Sequence, residues 1–234
     1  MTPTVEAWTD AGGRPVRSLS RGAGPHLVVV PGLGALGYLA PTLTRLAATA
    51  RVTLLDVPGF GHPSTADLPS SLDDVATTVA GWLRATGGEP VVLAGHSTGA
   101  QAALRAALLA PDRVRRLLLG GPTFPPELRT PVPLAAAVAR TLVHEQPGEL
   151  PAVWPEYRRG GARLLALLRT AMADRPEDAV GRVGVPVHVV RGRHDHVAPA
   201  AWCARLGPVR TVPGGHNATW THPAQTADAW RGAL

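Results

Sequence analysis

Pro90–Ala94 (PVVLA) is almost wholly apolar and runs straight into Gly95-His96-Ser97-Thr98-Gly99. An Ala/Leu-rich stretch, Thr98–Ala110, follows and is ended by Pro111. A short apolar run without polar alternation predicts a central parallel strand buried on both faces. The Ala/Leu pattern predicts a helix, so the glycine-flanked serine falls on a sharp strand-to-helix turn. Glycines two before and two after the serine leave room for the chain to bend that tightly. The helix start then offers free N–H groups and the positive end of its dipole beside the serine hydroxyl. With 26 glycines in 234 residues and few serines, chance placement gives roughly 0.07 occurrences of G-x-S-x-G. The motif gains its meaning from the strand before it and the helix after it.

Apolar runs and helical patterns alternate along the rest of the chain, which predicts α/β architecture. Short strands are expected near Glu6–Thr9 and Val16–Ser20, and stronger ones at His26–Pro31, Arg51–Asp56, Val114–Gly120 and Val185–Arg191, with a last short one at Val209–Pro213. Helices are expected at Leu39–Ala50, Ser71–Thr86, Pro199–Arg205 and Ala224–Ala233. Ser71 is the expected N-cap of its helix, with Asp73 and Asp74 in the first turn where negative charge suits the dipole. From Gly121 to Val183 the alternation breaks. That stretch offers helical patterns at Leu134–His144, Leu150–Arg159 and Ala162–Ala173 and no convincing strand. The expectation is one domain over residues 1–234, with helices 121–183 inserted between strands 6 and 7.

A chain of 234 residues, 45% hydrophobic and 17% charged, has the size and composition of one globular α/β domain. No apolar run reaches the length of a membrane span. Met1–Asp10 has no basic segment followed by an apolar one, so no secretory signal is expected. The single cysteine, Cys203, rules out an internal disulfide framework and suits a cytoplasmic location. The net charge of +6 comes entirely from dispersed arginines, without a basic run interleaved with aromatics. Nucleic acid and membrane are therefore not expected partners.

Several ordered segments make the chain similar to the α/β-hydrolase superfamily, in its single-domain serine-hydrolase branch. Gly95-His96-Ser97-Thr98-Gly99 resembles that family's nucleophile elbow. Val30-Pro31-Gly32-Leu33-Gly34 resembles its oxyanion loop, usually written H-G-x-G, with Pro31 in place of histidine. Asp56-Val57-Pro58-Gly59-Phe60-Gly61-His62 resembles its D-x-P-G-x-G-x-S loop, which is mainly structural. The resemblance implies a mostly parallel central sheet flanked by helices, with the 121–183 insertion serving as a helical lid. It implies Ser97 as nucleophile, and backbone N–H groups of Leu33 and Thr98 as oxyanion donors. The acid and base come late in this family. Gly192-Arg193-His194-Asp195-His196-Val197-Ala198-Pro199 matches its G-x-x-D-x-x-x-P acid loop, so Asp195 is the implied acid. Pro213-Gly214-Gly215-His216-Asn217 matches its G-H loop, so His216 is the implied base, with His222 as the competitor six residues on.

Other residues read more plainly. His194 and His196 flank Asp195, but no second cluster of ligand residues is evident, so they predict no metal site. His96 reads as buried packing. His144, Glu145, Glu149 and Glu156 read as a solvated face. Phe124, Trp154 and Tyr157 are candidates to line a substrate pocket, or else they pack the insertion onto the sheet. The resemblance implies a cofactor-independent hydrolase acting on a carboxylic ester, lactone or thioester of a small to medium, mostly apolar substrate. Lyase, acyltransferase or cyclase chemistry on the same residues is the alternative, and a non-catalytic ligand-binding member is a third. Epoxide hydrolase and dehalogenase chemistry is disfavoured, because those relatives carry aspartate at the elbow. The expected partner is a small molecule; a homodimer stays open.

Overall fold

The computed structural model describes residues 3–65 and 68–234. Its strands are β1 (Val5–Asp10), β2 (Pro15–Arg21), β3 (His26–Val30), β4 (Arg51–Asp56), β5 (Val91–His96), β6 (Val114–Gly120), β7 (Val187–Gly192) and β8 (Val209–Val212). They form one sheet in the order β1-β2-β4-β3-β5-β6-β7-β8. β1 pairs antiparallel with β2, and β2 with β4; every other pairing is parallel. Helices α1 (Ala40–Leu46), α2 (Leu72–Thr86) and α3 (Thr98–Leu109) connect the strands of the first half. Between β6 and β7 lie α4 (Pro131–Leu142), α5 (Leu150–Gly160), α6 (Ala162–Ala173) and α7 (Pro176–Ala179). Helices α8 (Ala200–Leu206), α9 (Ala218–Thr221) and α10 (Pro223–Arg231) complete the second half.

The central strands are apolar on both sides because both sides are covered. Val28, Val30, Leu93, Leu117, Leu119 and Val189 share one core with α2, α3 and α8. Their neighbours Leu27, Val29, Val92, Ala94, Leu118 and Val190 share a second core with α1 and α10. This period of two is the side-chain alternation of a strand. Each fully buried Val or Leu side chain contributes about 1.5–3 kcal/mol to this packing. Helix α2 starts as its sequence dictates. Ser71 accepts from the Asp74 N–H at 3.1 Å, and the Asp74 carboxylate accepts from the Ser71 N–H at 3.3 Å, a closed capping box.

The strand order sets where a site can form. From β3 the chain goes to β4 on one side, and β5 then returns to the other side of β3. In an open α/β sheet the carboxyl ends at such a reversal leave a crevice. The registers Val30↔Gly95, His96↔Gly120, Gly120↔Val190 and Gly192↔Val212 align the strand ends in one row. Loops leaving β3, β5, β6, β7 and β8 therefore converge along one edge of the molecule.

Candidate active site

Ser97 sits at the turn leaving β5 with φ 57° and ψ −127°, a positive φ that costs a non-glycine residue about 1–3 kcal/mol. Its surroundings hold it there. The Ser97 N–H donates to the Gly120 carbonyl at 2.8 Å. A Cβ at Gly95 would collide with the Gly99 carbonyl, and one at Gly99 with the Val30 carbonyl, so both positions need glycine for close backbone approach. The turn delivers the serine hydroxyl to the row of loops.

His216, in the loop after β8, receives it. His216 Nε2 lies 2.9 Å from Ser97 Oγ, and His216 Nδ1 lies 2.9 Å from Asp195 Oδ2. Asp195 is buried, and its other oxygen accepts from the N–H groups of Val197 and Ala198, each at 2.9 Å. Burial pushes the Asp195 carboxyl up, but the His216 charge and these hydrogen bonds outweigh it and hold it below the usual range. Burial pushes His216 down, and the Asp195 charge and hydrogen bond, with Glu145 and Glu149, outweigh it and raise its proton affinity. The arrangement can do one thing well: an ionised carboxylate fixes the Nδ1–H tautomer and leaves Nε2 free to accept a hydroxyl proton.

The loop after β3 faces the same serine. Leu33 has φ 47°, and its N–H donates to Thr98 Oγ1 at 2.8 Å. Thr98 opens α3, where the first N–H groups lack intrahelical partners. Of the two expected donors, the Leu33 N–H is thus engaged by a neighbouring hydroxyl.

Several residues that sequence reasoning missed brace these loops. Tyr38 Oη accepts from the Gly32 N–H at 2.8 Å and lies 2.9 Å from His96 Nδ1. His96 Nε2 lies 3.0 Å from the His216 carbonyl. A carbonyl only accepts, so Nε2 carries the proton and the Tyr38 O–H donates to Nδ1. Burial drives the His96 pKa down to about 3, which keeps the ring neutral in this relay. His96 is therefore more than packing: it ties the loop after β3 to the His216 loop. Arg191 braces the Asp195 loop, donating to the carbonyls of Ala198 and Asp195, both at 2.8 Å. Nothing local in the sequence marks Tyr38 or Arg191, because the His96 ring and the backbone groups they bind are brought close only by the fold.

The solvated-face expectation holds for exposed His144 and needs correcting for the three glutamates. Glu156 is 8% exposed and accepts from the N–H groups of Leu36 at 2.9 Å and Gly37 at 3.4 Å. Those groups open the turn before α1, whose unpaired donors attract a carboxylate. Glu145 and Glu149 are half-buried against Asn217. The remaining sequence candidates are scattered. His222 caps the start of α10, with Nδ1 2.9 Å from Thr221 Oγ1, outside the Ser97 chain. His194 is exposed and stacks on His144 at 4.1 Å. Among the described residues no group of His, Cys, Asp or Glu could hold a metal ion. Phe124 lies in the α2–α3 core, Tyr157 packs against the α1–α10 core, and Trp154 is 58% exposed. Cys203 is buried, and burial pushes its thiol up to about 12.

This fold and loop order have clear counterparts. The sequence pattern of the alpha/beta hydrolase family matches residues 27–229. The chain belongs to the alpha/beta hydrolase family. It is 35% identical over 99 residues, 42% of its length, to a putative carbamate hydrolase RutD of Azorhizobium caulinodans. It is 31% identical over 133 residues, 52% of its length, to the human (lyso)-N-acylphosphatidylethanolamine lipase. The chain spans 37% and 39% of the length of these two curated relatives. Its fold is similar to that of a serine hydrolase involved in carbazole degradation, the CarC enzyme, with a TM-score of 0.80 and 23% identity over 99% of each chain. The chain is also 37% identical over 100 residues, 42% of its length and 37% of the relative's, to a pimeloyl-[acyl-carrier protein] methyl ester esterase of Pseudoalteromonas atlantica. Among the described residues of this chain, no helix is long and apolar enough to cross a membrane.

Proposed function

We propose that the protein is a serine hydrolase that cleaves a carboxylic ester, lactone or thioester of a small to medium, mostly apolar substrate. The observation that carries this reading is the unbroken chain Ser97–His216–Asp195, with both links at 2.9 Å. The Ser97 hydroxyl attacks the substrate carbonyl while His216 Nε2 takes its proton. Asp195 keeps the ring oriented and stabilises the imidazolium. The developing oxyanion is held by the N–H groups of Thr98 and Leu33, the latter released when the Thr98 hydroxyl turns aside. His216 returns the proton to the leaving alcohol or thiol, leaving Ser97 acylated. Water then attacks the acyl carbon and gives a proton to His216; the bond to Ser97 Oγ breaks, and His216 returns the proton to Ser97. The chemistry needs no cofactor.

The helices between β6 and β7 serve as a lid over the edge that carries Ser97. The membership of hydrolases with varied substrates in this family supports the reaction class and leaves the acyl group unassigned. A panel of short-chain p-nitrophenyl esters, run in ¹⁸O water, tests the reading. The expected product is a free acid carrying ¹⁸O. A product that retains the acyl group on another acceptor, or that has lost it by elimination, would overturn hydrolysis.

A further inference from the structure

The stretch from the end of α4 to the start of α5 touches the loops bearing Asp195 and His216 at three points. The His196 N–H donates to Thr141 Oγ1 at 3.1 Å. The Asn217 N–H donates to Glu145 Oε1 at 2.8 Å, and the Asn217 side-chain amide donates to Glu149 Oε1 at 2.6 Å. Asn217 directly follows His216, so two carboxylates grip the residue next to the base. Gly215, on the other side of His216, makes this approach possible: a Cβ there would sit 2.5 Å from Glu145 Oε1. The second Glu145 oxygen is buried without a hydrogen-bond partner. Half-burying two acids against each other is costly, and neither is needed to close the core.

We propose that Glu145 and Glu149 are positioning residues that hold the His216 loop through Asn217 and bring two acidic side chains to bear on the His216 ring. This rests on the reading of His216 as the base. The charged and titratable groups facing His216 are Asp195 from the β7 loop, His96 from the elbow, and these two glutamates. His96 is neutral, so the glutamates are the acids acting on His216 besides Asp195. Burial, then the Glu145 charge, lifts Glu149 to about 7, and burial likewise raises Glu145. Tyr157 and Tyr38 also lie within electrostatic reach of Glu149. The pair therefore carries less than two full charges near neutrality, and its effect on His216 is moderate.

Glutamine keeps a carbonyl oxygen for Asn217 and removes the charge; alanine removes both. The test uses Glu145→Gln, Glu149→Gln, the double variant and Glu145→Ala. The His216 ring is titrated by NMR in the ligand-free protein, with its signal assigned by loss in His216→Gln. The pH profile of kcat/KM on an ester is measured beside it. In the double glutamine variant the His216 titration and the acid limb should both move down by about half a pH unit, a roughly threefold gain in kcat/KM below the limb. Glu145→Ala should in addition lower kcat at the plateau, with Glu145→Gln restoring it. Unchanged titration and limb in the double variant, with its thermal unfolding unaltered, would overturn the proposal. A shifted titration in a protein that hydrolyses no ester would support the electrostatic coupling and overturn the hydrolase reading.

Discussion

His216 carries the proton in the proposed reaction, and its neighbours decide when it can do so. Burial alone would depress its proton affinity; the Asp195 charge and hydrogen bond reverse the sign. The base must be neutral to accept the Ser97 proton, so activity is present above the raised His216 pKa and lost as pH falls through it. The acid limb of kcat/KM should therefore lie above the ordinary histidine value of about 6.5. Asp195→Asn should move it down and lower kcat by about 10³–10⁴-fold, because the Nδ1–H tautomer loses its acceptor. A pH-rate series on wild type and variant measures both. Ser97, Asp195 and His216 could be named from sequence because each sits in a short loop of characteristic glycine, proline and acid spacing. Glu145 and Glu149 could not be read in the same way. Their environment comes from Gly215 and Asn217, some seventy positions away.

At the scale of elements, the β5–α3 turn is the piece whose geometry everything else serves. Gly99→Ala would drive a methyl group into the Val30 carbonyl of the neighbouring strand. The backbone has no rotamer with which to yield, so the expected destabilisation is about 3 kcal/mol or more. Urea unfolding of the variant beside wild type checks this. Local sequence determined the elements with the strongest patterns: β4, β6 and α6 have the expected bounds. Where bounds differ, the cause is terminal hydrogen bonding. Helix α1 stops at Leu46 and not at Ala50 because the Ala48 and Thr49 N–H groups reach back only three residues. Helix α4 starts early, at Pro131, because a proline at the first helical position needs no hydrogen-bond acceptor. The short α7 and α9 carry too few residues for any periodicity to reveal them.

For the whole molecule, the sheet order makes five strand ends converge, and the helices between β6 and β7 are pinned across them by individual side chains. Glu156 on α5 binds the Leu36 and Gly37 N–H groups, and Arg163 on α6 binds the Pro58 carbonyl at 2.8 Å. Glu156→Ala would leave two N–H groups without their acceptor, at about 1–3 kcal/mol. Faster limited proteolysis between Gly121 and Pro186, with the sheet fragment persisting, is the expected outcome. The alternation of strands and helices made the α/β architecture legible, since a sheet covered on both faces demands apolar strands. Long-range pins of this kind leave no periodic trace, so how the helices dock was not legible. The central claim is that this assembled row of loops makes Ser97 a nucleophile. Intact-mass analysis after exposure to a fluorophosphonate tests it most directly. Wild type should carry a single adduct, mapped to Ser97 and absent from Ser97→Ala, which should also have lost ester turnover. A wild type left unlabelled, or a Ser97→Ala variant with undiminished turnover, would contradict it.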